Sequence, residues 1–189
     1  KIKLERQELK KIIFIGDIKH SFAYEWKEKN YFNRVLDFLK ENFSEENIIL
    51  IKGNHDTIDY TFDKKLVDYQ IEKDIAFFHG DKFFPEVFDK KIKTIVMGHI
   101  HPSIILSDKQ GIKKERFKCF LVGKFKKKEA IILPSFLSTI EGFPINNYDE
   151  EYGNFFSIIP KKDLMNFGVY IVGDDKVYEF NKIKKLKFN

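Results

Sequence analysis

Cysteine is almost missing from this chain. The single Cys119 excludes an internal disulfide and any zinc site built on clustered thiolates, which fits a reducing compartment. Long apolar runs are missing too. None approaches the roughly 20 residues of a membrane span, and the start does not read as a signal peptide. The expectation is a cytoplasmic protein with no membrane partner. Internal repeats, low-complexity tracts and Gly/Ser linkers are absent, so residues 1–189 are expected to form one domain. Histidine is scarce, with five in 189 residues, and the first residue is Lys1 rather than Met.

The rest of the composition is that of a folded chain. Hydrophobic types make up 43% and charged types 33%, too apolar for disorder. A chain of this length buries a core without covalent staples. The net charge of +5 is a mild excess.

Short apolar runs dominate the pattern. Ile12–Ile15 and Ile48–Ile51 read as strands buried on both faces. Between them, over Asn30 to Asn42, Phe32, Val35, Leu36, Phe38 and Leu39 recur at helical spacing. Strand, helix and strand at this spacing form a βαβ unit. Further short strands are expected at 75–78, 94–97, 104–106, 120–122, 130–133, 155–159, 169–172 and 177–180, with few helices between them. The fold class is therefore α/β, a sandwich of two sheets with helices outside and a mixed or antiparallel second half.

Four of these strands run directly into polar clusters: Gly16-Asp17-Ile18-Lys19-His20, Gly53-Asn54-His55-Asp56, His79-Gly80-Asp81 and Gly98-His99-Ile100-His101-Pro102. Carboxyl ends of strands are where α/β sheets bind ligands. All five histidines, His20, His55, His79, His99 and His101, fall in these clusters. Incidental histidines scatter, and these do not. Carboxylate, amide and imidazole donors without thiolate suit Mn²⁺, Fe or Zn²⁺. Two such ions a few ångströms apart clamp a phosphoryl group and ionise water for in-line attack. An imidazole beside them can protonate the leaving oxygen, and Asp56, next to His55, could orient that ring and raise its pKa.

In this order, Gly16-Asp17, Gly53-Asn54-His55-Asp56, His79 and Gly98-His99-Ile100-His101 resemble the successive motifs of the calcineurin-like metallophosphoesterases. The resemblance spans about Ile12 to Pro102. Gly-Asp-x-Lys-His over Gly16 to His20, the aromatic stretch with Trp26, and Leu133-Pro134-Ser135-Phe136 are similar to an archaeal SbcD-related subgroup, also found beside DNA helicases and ligases. The resemblance implies a four-layer α/β/β/α sandwich of two mixed sheets flanked by helices. It implies a hydrolase with a binuclear metal centre, Mn²⁺ first, with Fe, Zn²⁺ or Ni²⁺ as alternatives. By the same resemblance Asp17 bridges both ions, Asn54, His79 and His99 complete one ion's ligands, and His101 serves the other. His55, backed by Asp56, assists catalysis, while Lys19 and His20 contact substrate phosphate.

The family's opening Asp-x-His motif has no counterpart here. It is expected upstream of Lys1, on a first strand that the chain lacks, so the second metal site is expected to be incomplete. Lys113, Lys114, Arg116, Lys118, Lys124 and Lys126–Lys128 form the densest basic stretch, interleaved with Phe117, Phe120 and Phe125. The exposed faces of a lysine-rich hairpin explain it, and a nucleic-acid contact is the alternative. The expected partners are thus a phosphate-ester substrate, with nucleic acid a candidate, and a second copy in a homodimer. The competing function is a phosphatase-fold subunit of impaired or lost activity that acts as a binding module.

Overall fold

The computed structural model describes residues 9–18, 26–56, 64–108, 110–147, 157–173 and 175–186, with residues 26–28 by backbone alone. Its first unit is the expected βαβ. Strand β1 (Ile12–Ile15) leads to helix α1 (Trp26–Lys40) and then to β2 (Ile48–Ile51). The two strands pair in parallel, Ile12 opposite Ile48 through Ile15 opposite Ile51. Phe32, Leu36 and Leu39 lie at helical spacing and pack with Phe14, Ile48, Leu50 and Leu66. Phe14 meets Phe32 edge to face at 5.5 Å between ring centroids. The remaining periodic residues, Val35 and Phe38, turn outward and are exposed.

A mixed seven-stranded sheet follows. Strands β3 (Tyr69–Glu72), β4 (Ile75–Phe78) and β5 (Thr94–Met97) occupy one side. After β6 (Pro102–Ser107) and β7 (Lys114–Lys118) come β8 (Phe120–Phe125), β9 (Lys128–Ile132), the short β10 (Phe143–Pro144), helix α2 (Lys161–Leu164), β11 (Gly168–Val172) and β12 (Val177–Lys182). The large sheet runs β12-β11-β8-β9-β5-β4-β3, and β10-β6-β7 form a smaller one. Strands β4, β5 and β9 are mutually parallel, which brings their carboxyl ends to one edge. Phe78, Ile95, Met97, Leu121, Ile132 and Phe167 fill the main core without solvent contact. Cys119 is buried among them, and burial pushes its thiol up to about 12, so it stays protonated and inert.

The fold is α/β with mixed sheets and sparse helices. It departs from the sequence reading at definable places. Strands β3, β7 and β10 were not expected. The first two are edge strands bearing Gln, Glu, Lys and Arg, residues that dilute an apolar signal while protecting an open edge. Of the strand expected over 155–159, residues 157–159 are not strand, and 155 and 156 lie outside the described residues. Strand β1 is half-buried along its whole length, not buried on both faces, because β2 is its one partner strand among the described residues.

The basic stretch is divided between two sheets. Strand β7 pairs with β6, whereas β8 and β9 form a separate hairpin with Lys126 and Lys127 at the turn. Both turn residues have positive φ, as a two-residue hairpin turn requires. Lys128, expected on an exposed face, is buried, and its ammonium donates to the carbonyls of Asp89 and Ile92. No helix among the described residues is long and apolar enough to cross a membrane.

Truncating Phe78 to alanine removes a fully buried ring and is expected to cost about 3–5 kcal/mol in urea unfolding. The exposed Phe38→Ala should stay within about 0.5 kcal/mol of the parent.

Candidate metal centre

The site forms where β1 and β2 of the βαβ unit meet β4 and β5 of the large sheet. Each of these strands ends in one of the polar clusters. Two glycines let the strand ends close up. A Cβ on Gly16, whose φ is +73°, would lie 2.3 Å from His79 Nδ1. A Cβ on Gly53 would lie 2.2 Å from Asp17 Oδ1. Neither position tolerates a side chain without displacing His79 or Asp17. Asp17, His99 and His101 adopt positive φ values of 50°, 64° and 47°. Left-handed backbone at non-glycine residues costs on the order of 1–3 kcal/mol each and concentrates at functional sites.

His79 is the hub. Its ring is buried, and its Nδ1 lies 3.0 Å from the carbonyl oxygen of Ile15 at the end of β1. A carbonyl only accepts, so Nδ1 carries the proton and the opposite nitrogen, Nε2, is aimed into the site. Three donor atoms converge on Nε2: Asn54 Oδ1 at 3.1 Å, Asp17 Oδ2 at 3.2 Å and His99 Nδ1 at 3.2 Å. Asp17, His79 and His99 form a group whose donor atoms all lie within 4.8 Å of one another.

These separations fit a metal shell. Ligands about 2.1 Å from one ion are about 3.0 Å apart when cis in an octahedron and about 3.4 Å apart in a tetrahedron. The imidazole anchored through Nδ1 to a backbone carbonyl is also the usual support of a metal-bound histidine. Asp17, Asn54, His79 and His99 offer donor chemistry suited to a divalent cation, and their separations from His79 Nε2 match such a shell.

The charges reinforce one another. Burial works against a charged His79, but the hydrogen bond and attraction of Asp17 outweigh it and raise the pKa of the ring. Burial likewise opposes ionisation of Asp17, yet the hydrogen bond from His79 and the charge beside it hold the carboxyl below its ordinary value. Burial lowers the pKa of His101, with Asp17 pulling the other way. His101 thus shares the electrostatic neighbourhood but lies outside the three-residue donor group.

The second cluster supports the first. The backbone N–H of His55 donates to Asp17 Oδ1 at 3.0 Å, leaving Oδ2 toward His79. Asp56 is fully buried, and its Oδ2 accepts from Gly53 N at 2.9 Å and Ile18 N at 3.3 Å. It fastens the loop after β2 to the loop after β1. Lys19 and His20 lie outside the described residues. The backbone carbonyl of Ile15 was not anticipated, because no sequence signal marks a main-chain acceptor.

No protein-family model and no curated protein sequence matches this chain.

A divalent ion must displace the proton that Asp17 helps His79 to hold. Mn²⁺ affinity is therefore expected to rise with pH through the raised pKa of His79 and to level off beyond it. Titration calorimetry between pH 5.5 and 8.5 checks this, and His79→Ala should remove the tight site at every pH.

Proposed function

We propose that this chain is a metal-dependent phosphoesterase of the calcineurin-like kind. The observation that carries the reading is the convergence of Asp17, Asn54 and His99 on Nε2 of His79. These residues would hold one divalent ion, with Asp17 shared toward a second that His101 serves. Such a centre supplies a polarised phosphoryl oxygen and an ionised water at neutral pH.

The chain's own groups do the rest. Asp17 stays ionised, since its pKa is held down, and keeps the charge that balances bound cations. The His79–Ile15 contact fixes the direction of Nε2, so an arriving ion has only to displace the proton there. His55 is set beside Asp17 by its backbone bond, and its imidazole is close enough to stabilise the negative charge there. From that place it protonates the departing oxygen or steadies charge on the phosphoryl group. Asp56 locks the turn that carries His55, which makes it a positioning residue. Lys19 and His20 complete the reading as contacts to substrate phosphate.

The same reading places the seven-stranded sheet and the β1–β2 pair in a four-layer α/β/β/α sandwich. A binding subunit without turnover is the second reading. It is favoured by the one compact donor group among the described residues, with His101 outside it.

Hydrolysis of bis-p-nitrophenyl phosphate in Mn²⁺ separates the two. The phosphoesterase reading expects metal-dependent turnover that His55→Ala lowers by about 10²–10⁴ in kcat with Mn²⁺ binding retained. Mn²⁺ binding without turnover would establish the binding module instead.

A further inference from the structure

The segment after β9 runs between two backbone positions next to His99 and His101. It leaves β9 beside the end of β5, where Leu133 N donates to Met97 O at 2.8 Å, two residues before His99. It returns at Phe143, whose N–H donates to His101 O at 2.7 Å. Both ends are thus tied to the backbone that carries His99 and His101. At its tip Phe136 is 100% exposed, and the adjoining Leu137 is 54% exposed. Three residues span at most about 11 Å, so Phe136 stays within that distance of Leu133.

The exposure of Phe136 is held in place. Lys118, on β7, sends its ammonium to the carbonyl oxygens of Ser135 and Leu137, the residues on either side of Phe136. Arg116, two residues earlier, pairs with Glu141 at 2.9 Å and reaches Gly142 O at 3.4 Å. A β-strand turns alternate residues to one face, which is why both cations grip the same loop. Leaving a phenylalanine in water forgoes the gain of burying its ring. A lysine that clamps both flanking carbonyls keeps the ring from collapsing onto the sheet.

We propose that Phe136 is a stacking platform for a nucleobase of the substrate, making the preferred substrate a nucleotide phosphodiester; this rests on the phosphoesterase reading of the metal centre. Anionic phosphate is drawn to the donor cluster and its cation, and the loop that carries the ring starts and ends beside the residues of that cluster. A flat aromatic face suits a base because every base offers a π-face. Lys118 is a positioning residue that acts through the loop.

The test compares two Mn²⁺-dependent reactions that share one leaving group, thymidine 5′-p-nitrophenyl phosphate and methyl p-nitrophenyl phosphate. The measured quantity is the ratio of their kcat/KM values. Phe136→Ala is expected to lower that ratio at least about fivefold, and Phe136→Trp to retain it. Lys118→Met should lower it in the same direction by freeing the loop. An unchanged ratio in Phe136→Ala, or an equal loss on both esters, overturns the stacking role. A shift in sedimentation from dimer to monomer in Phe136→Ala assigns the ring to a second copy and also overturns it. Absence of Mn²⁺-dependent turnover on both esters by the unaltered protein is a different result, because it rejects the phosphoesterase reading itself.

Discussion

The contact between His79 Nδ1 and the carbonyl of Ile15 joins the βαβ unit to the large sheet. It does two things at once. It satisfies a strand-end carbonyl and the proton of a buried ring, and it turns the other ring nitrogen toward Asp17, Asn54 and His99. If the contact is lost, the buried imidazole has no fixed tautomer and the donor atoms have no common focus. The surrounding features follow from this constraint. Gly16 must lack a side chain because the His79 ring occupies that space. Asp17 takes a left-handed backbone so that its carboxylate can reach both His79 and the N–H of His55.

Forces of different kind maintain this geometry. Apolar burial fixes the strands, with Phe78, Ile95 and Met97 inside the large sheet and Leu36, Ile48 and Leu50 under α1. Burial is non-directional and cannot aim a ring. The aiming is done by a few hydrogen bonds at strand ends, among them those of the buried Asp56 to Gly53 and Ile18. Burying a carboxylate is costly unless its oxygens accept hydrogen bonds, and here those bonds tie two loops together. The left-handed residues at the site are tolerated because the sheets beneath are firmly packed.

Much of this was legible in the sequence wherever a signal was local. The runs at Ile12–Ile15, Ile48–Ile51, Ile75–Phe78 and Thr94–Met97 appear as strands with the same limits. Gly, Asp, Asn and His directly after them marked the site residues. Edge strands were hidden, since β7 is Lys-Glu-Arg-Phe-Lys and its pairing is decided by β6 rather than by its own composition. The half-exposure of β1 was also hidden, because apolar residues report an affinity for burial and not the neighbour that provides it. Nor could the sequence show that Lys118 brackets Phe136 or that Lys128 is buried under the carbonyls of Asp89 and Ile92. Lysine at a strand position reads as solvated until the partner carbonyls are placed.

The donor atoms around His79 Nε2 are expected to hold a metal ion. Crystals grown with Mn²⁺ and measured on both sides of the manganese absorption edge should show an anomalous peak about 2.0–2.2 Å from His79 Nε2 and in contact with Asp17, Asn54 and His99. A difference map with no peak there at saturating Mn²⁺, or with manganese only at other side chains, would contradict it.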